Sequence, residues 1–575
     1  VYDQDKNQIF VDNFDFETKN SIFKSIGDIQ VIDNKKNKYE FSQIYIDTKK
    51  KEIVGTDIKA FLNQKSFKLN EKNKPRIFSN AIKIENNGKS VFQKSNFTLC
   101  DYRENDKCPP WEIRSTKMMH DNKKKTIYYN NALIKVYDIP IFYFPRISHP
   151  DPTVDRRSGF LPPSYSDTKN LGEGISIPYF FNLGSDKNFT LTNRLYLKEN
   201  PLFIGEYHQA FKNSFLMADF GYTQGYKKTT IKKKGGEKSH FFSKFSKEFV
   251  GKNDSKNLFE VNLQEVSNDK YLKLYKIKSN LVDFNSNTLD NSISFTREND
   301  DSYFGLNASI YESISEDYND KYEYIFPEIT FDKNLLSDNK FGFLDYQTNI
   351  KFHNYDTNKT NKFLVNDFNW NYKDLISSFG INNKITGHLR NINYESKNVD
   401  IYKDDPTSEL FGAIGLTSSI NLQKDINQTN HFLTPKILFR YAPGSMRQET
   451  SGSRLEPLTA FSMDRLDNTY NFETGLNTAV GLDYTISKND LKKFDFSIAQ
   501  IINSEENKKM SDVSSLNEKL SDLVGTMSIG NDKAKLSYNF NVDQNYKEFN
   551  YNELTTSYNF DSFQLNLNYL KEQKH

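Results

Sequence analysis

Few residue types in this 575-residue sequence could do covalent chemistry, and their spacing argues against a catalytic centre. The eight histidines are scattered and form no HExxH; no GxSxG with triad partners, no P-loop and no CxxC occurs. His149, Asp151 and Asp155 lie close together, but three nitrogen and oxygen ligands in a proline-rich stretch are a poor metal set, and a metal is not expected. Cys100 and Cys108 are the only cysteines. Their separation permits a local loop-closing bridge if the backbone brings the Cα atoms within about 7 Å. Arg156 and Arg157, ahead of Gly159, could meet carboxylates or phosphates through planar bidentate contacts, or anchor an interfacial rim. No cofactor and no enzymatic activity are expected.

The elements that carry these residues follow from composition. With 77 Lys+Arg against 75 Asp+Glu, there is no basic footprint for nucleic acid. A mean hydropathy of −0.74 and the lack of any long apolar run exclude a bundle of membrane-spanning helices. Yet the chain holds 47 Phe, 34 Tyr and 2 Trp, 14% of its residues, which excludes disorder as the reason for its polarity. Alternating strands reconcile the two, because apolar residues then occupy every second position.

The first 145 residues read as short strands and polar turns. Three turns look alike: Asp33 to Tyr39, Asp47 to Ile53 and Asp121 to Ile127, each an Asp followed by a lysine run, as expected where Asp bonds its own backbone and Lys stays in water. The stretch 139–163 holds six prolines, including Pro140 and Pro145. Proline cannot donate to a ladder, so this stretch is expected to be a rigid connection with few regular bonds. The division predicted is 1–145, a hinge at 146–162, and 163–575. In the last part alternation persists: Leu344, Tyr346, Ile350 and Phe352 on one face, Asp345, Gln347, Asn349 and Lys351 on the other. Roughly 20 to 22 such segments fit antiparallel strands of about ten residues. So long a sheet avoids exposed edges by closing, and the aromatic excess favours a barrel with its apolar face turned to lipid.

Three stretches resemble the lipopolysaccharide-assembly outer-membrane family LptD. They are Asn96-Phe-Thr-Leu-Cys100 with Trp111-Glu-Ile-Arg114 and Met119-His-Asp121; Ile139 to Pro145 with Asp155-Arg-Arg-Ser-Gly-Phe160; and Met463-Asp-Arg-Leu-Asp467 with Thr478 to Tyr484 and Phe496 to Gln500. The resemblance implies an all-β chain: an N-terminal periplasmic β-jellyroll followed by a large antiparallel transmembrane β-barrel. The family barrel has about 26 strands, so the chain is expected to continue beyond His575. It opens without Met or a signal peptide, and is read as a truncated or processed chain. The function implied is a translocon of the Gram-negative outer membrane. It would take lipopolysaccharide from an LptA-type periplasmic jellyroll bridge, hold an LptE-type lipoprotein plug in its lumen, and release substrate sideways. Pro163 and Pro178 match the prolines of the family's lateral gate. The cysteines depart from the family pattern, in which jellyroll-side cysteines bridge to cysteines near the barrel's end; here a local Cys100–Cys108 bridge is expected unless the partners lie outside this sequence. The alternatives are another outer-membrane barrel transporter or porin, or a soluble β-solenoid.

Overall fold

The computed structural model describes residues 8–33, 36–62, 75–100, 109–151, 154, 156–229, 235–315, 321–426, 428–449, 452–488, 491–531, 533–560 and 563–573. It divides into two compact units, one of residues 1–160 with 179–182 and one of residues 161–178 with 183–575.

The first unit is a ten-stranded antiparallel sheet in which, from Ile22–Ile32 to Ile139–Pro150, each strand pairs with the next in sequence. The Asp-Lys turns form as expected. Asp47 accepts the backbone N–H groups of Lys49 and Lys50, and Asp121 those of Lys123 and Lys124. These backbone donors hold both carboxyls below the usual carboxylate range. Asp33 likewise accepts Asn37 N–H at 2.8 Å.

A meander does not by itself enclose a core, and a fold line supplies the closure. The ladders skip one row of positions running straight across the sheet: Gly27, Ser42, Asp57, Asn80, Lys94, Thr116, Asn131 and Pro145. Gly27, Asp57, Lys94 and Asn131 have positive φ there, which bends alternate strands at one level. Serines beside the row bond there: Ser79 Oγ donates to Gln93 O at 2.6 Å, and the Ser95 and Ser115 hydroxyls bond each other at 2.9 Å. The bent sheet packs around one core that includes Phe23, Ile44, Ile58, Phe92, Phe97, Met118 and Tyr129. This is the expected jellyroll, wound from sequential strands.

The proline-rich stretch differs from the expectation. Residues 139–150 form a twelve-residue strand paired with Thr126–Val136, so regular bonding runs past 145 to Pro150. Two circumstances admit the prolines. Among the described residues the strand is the sheet's edge, with no ladder on its other side, and Pro145 falls on the fold line, where the ladder is interrupted anyway.

From Gly159 onward the described residues form a second sheet, of 24 strand segments in sequence order. They make 21 passes, since Gly159–Phe160 with Ser164–Thr168, Lys359–Asn371 with Leu375–Ile376, and Thr407–Ile420 with Leu422–Ile426 are each one interrupted pass. The longest connections lie at one end, although 169–171 and 356–358 at that end are short. Those at 183–186, 211–213, 251–255, 299–301 and 339–341 are tight, whereas 224–237, 267–287, 443–474 and 504–522, all at the opposite end, are long. Register gives the sheet two unlike faces. One carries the row Phe259, Phe295, Leu306, Ile329, Ile350 and Leu364 across six consecutive strands; the other carries Glu260, Ser294, Asn307, Glu328 and Lys351. The apolar face is bare: Phe241 is 45% and Ile293 53% exposed. Two long connections fold over the polar face. Segment 267–287, with a short helix at Tyr271–Tyr275, packs on strands 187–313, and segment 443–474 on strands 359–572.

Candidate conduit and strand seam

Pro163 and Pro178 meet at one irregularity. Gly159 and Phe160 pair with Phe180 and Tyr179, but Ser164 pairs with Ser176, so the register slips by one residue across Leu161-Pro162-Pro163. At the slip, Leu161 N–H donates to Pro178 O at 3.0 Å. In an antiparallel ladder such a pair exchanges two bonds, and Pro178 has no N–H to return the second. The missing donor therefore lies between the first and second passes. The expected gate lies at the seam with the last strand; this half-made pair lies between the first pass and its only ladder partner among the described residues.

The other residues singled out are dispersed. Pro140 opens the edge strand opposite Lys135. Arg156 lies 5.8 Å from the Phe180 ring, and its carbonyl accepts Asn182 Nδ2. Arg157 donates to the buried Thr126 hydroxyl, which makes it a tie to the jellyroll rather than a free cation. Gly159 has ordinary φ and open space where a Cβ would stand, so the fold does not demand glycine there. Cys100 is half-buried and a free thiol, its N–H bonded to Thr98 Oγ1; Cys108, on which the bridge depends, lies outside the described residues, as does Asp155.

His149 points into the jellyroll core. Its Nδ1–H donates to Pro150 O at 2.7 Å and its Nε2 lies 2.8 Å from the Tyr129 hydroxyl, which donates to it when the imidazole is neutral. Burial lowers its pKa accordingly and raises that of Tyr129. Asp151 accepts a different histidine, His120 Nε2 at 2.5 Å.

Sequence reasoning left the segment Met463 to Asp467 without a role, and the structure supplies one. Arg390, on strand Ile381–Lys397, holds Asp367 through Nε (2.7 Å) and Nη2 (3.3 Å), and reaches Asp464 Oδ2 (2.8 Å) and Asn471 O (2.9 Å) through Nη1. Arg440, fully buried, donates to Met463 O and Glu473 O; Arg465 donates to Asn477 and lies 2.9 Å from Glu473. Three arginines face three carboxylates, so the cluster is neutral, with the Phe472 ring near both Arg390 and Arg440. Burial pushes the Asp464 carboxyl up and the Arg465 guanidinium down to about 10.

A sheet with a continuous apolar face outside, a polar face inside and long connections folded across that polar face defines the class of membrane-embedded β-barrels, here preceded by a jellyroll. The comparisons agree. Residues 250–575 match the family model described as LptD, LPS transport system D, and the chain belongs to that family. It is 30% identical over 128 residues to an LPS-assembly protein LptD of Nitrosococcus oceani, covering 22% of this chain and 16% of that one. It is 32% identical over 154 residues to one of Francisella tularensis subsp. novicida, covering 25% and 17%. Over 281 residues it is 26% identical to one of Pseudomonas putida, covering 48% and 29%. The aligned stretches thus span 16%, 17% and 29% of these relatives' lengths. The family model is described as an LPS transport system, and these relatives are named LPS-assembly proteins.

Proposed function

We propose that this chain carries lipopolysaccharide into the outer leaflet of a Gram-negative outer membrane. One observation bears most of the weight. An unbroken apolar row from Phe259 to Leu364 backs directly onto a polar row from Glu260 to Lys351, an arrangement that suits lipid on one side and a wet lumen on the other. The long connections at 224–237, 267–287, 443–474 and 504–522 all lie at one end, which supports an orientation with the other end, where the chain enters at Gly159, towards the periplasm.

The substrate is amphipathic, and each part meets a matching surface. Acyl chains lie along the jellyroll interior, whose edge strand offers Phe144 and Ile147 on the core-facing side. The saccharide passes by the polar face of the barrel. Release is lateral, where Pro178 and the slipped register at Pro163 leave the first pass weakly held. An LptA-type jellyroll delivers substrate to the first unit, and an LptE-type lipoprotein occupies the lumen. No bond in the substrate is made or broken. A diffusion porin is disfavoured by the two inward-folded segments, which occupy the face a porin keeps open.

Photo-crosslinking residues at Phe144 and Ile147 in the full-length protein, in cells making lipopolysaccharide, tests this reading. Adducts at these positions and none at the outward-facing Tyr143 are expected. Equal labelling of Tyr143, or labelling of no jellyroll position, overturns it.

A further inference from the structure

Segment 452–474 touches strands that the ladder itself keeps far apart. At one end, the Asp367–Arg390–Asp464 bridge and the Arg440–Glu473–Arg465 cluster join it to strands Lys359–Asn371, Ile381–Lys397 and Thr429–Ala442. These side chains are 0–9% exposed. At the other end, Leu455 O accepts Asn541 Nδ2 at 3.2 Å, and Arg454 Nη2 donates to Glu572 Oε1 at 2.6 Å. The Arg454 guanidinium also lies 3.3 Å from the Tyr551 ring centroid. Tyr551 and Glu572 are direct partners in the ladder of their two strands, so one guanidinium stacks on one member of a cross-strand pair and bonds the other. Here exposure is much higher, 26% for Arg454 and 48% for Glu572. Ser453 Oγ to Asp467 at 3.1 Å ties the two ends of the segment together.

We propose that segment 452–474 is an internal brace with a permanent end and a releasable end, and that Arg454 is the positioning residue that couples it to strands Phe549–Asn559 and Gln564–Glu572. Ladder bonds fix a strand only to its neighbours, so the angle between distant strands is soft; a segment anchored on both removes that freedom. The buried end has no water to replace its partners and stays bonded. The Arg454 end is solvated, and ionic competition can open it without unfolding anything. This makes strands Phe549–Asn559 and Gln564–Glu572 conditionally mobile, an inference that does not rest on the lipopolysaccharide reading.

Hydrogen exchange on the full chain in detergent micelles tests the proposal. Arg454→Ala is expected to raise exchange about fivefold in 549–572, the effect of losing one exposed charged contact, while leaving 475–503 unchanged. High salt should bring the wild type to the level of the variant, and Arg454→Lys should recover part of the protection. Unchanged exchange in 549–572, or an equal rise in 475–503, overturns it, as does wild-type protection that ignores salt.

Discussion

Replacing Pro178 by Ala restores the donor missing from the first ladder of the second unit. Because Leu161 N–H already bonds Pro178 O at 3.0 Å, the new N–H faces Leu161 O, and the substitution completes a two-bond pair without moving the strands. A net hydrogen bond contributes about 0.5–1.5 kcal/mol, which lowers the population of a detached first pass by about twofold to tenfold. Pro163→Ala differs, because Pro163 sits inside the register slip between Phe160↔Tyr179 and Ser164↔Ser176, where no carbonyl is in register to accept. Its effect should stay within about twofold, since no new bond forms. Two assays on the full-length protein follow the same quantity: exchange of the Leu161 amide, and the initial rate of lipopolysaccharide delivery to acceptor membranes after reconstitution. Pro178→Ala should slow both by similar factors. Equal slowing by the two single variants, or unchanged delivery by Pro178→Ala with a fully assembled barrel, would refute the link between the half-made pair and release.

Asp464→Asn removes one charge from a pair whose side chains are 8% and 9% exposed, and should cost about 3–5 kcal/mol, read as a lowered unfolding temperature in detergent; Arg454→Ala, at the solvated end, should cost about 1 kcal/mol or less. The half-buried His149 has a pKa below its ordinary 6.5. The unfolded chain therefore takes up the proton first, so stability is full above pH 6.5 and is lost as pH falls through the lowered folded value. In a Trp370→Phe background, the urea midpoint reported by Trp111 should fall between pH 7 and 5, and His149→Gln should flatten that slope. Gly525 lies under the ring of its cross-strand partner Phe540, where an added Cβ collides with the ring; Gly525→Ala should destabilise by about 1–3 kcal/mol in the same thermal assay.

Much of the wall was legible in the sequence because its rule is local. A strand alternates every two residues whatever lies beyond it, so Leu344, Tyr346, Ile350 and Phe352 could be assigned to one face, and the structure puts them there by register. The turns at Asp47 and Asp121 were legible for the same reason, since a carboxylate bonding N–H groups two and three residues on needs no distant partner. The proline-rich stretch misled because proline's effect depends on its neighbours. Pro140 and Pro145 disrupt a central strand but not an edge, and edge position is a property of the whole sheet.

The sequence by itself determined that strands form, which side chains share a face, and where the turns fall. Tertiary structure alone decided the fold line through Asp57, Lys94 and Asn131, residues with no intrinsic need for positive φ that adopt it where the ladders on both sides of their strands are interrupted. It alone decided that Pro178 faces Leu161, because a one-residue register slip cannot be read from either strand separately. And it brought Arg390 to Asp464 across 74 residues and Arg454 to Glu572 across 118, pairings for which sequence offers no signal because charge acts through space and not along the chain.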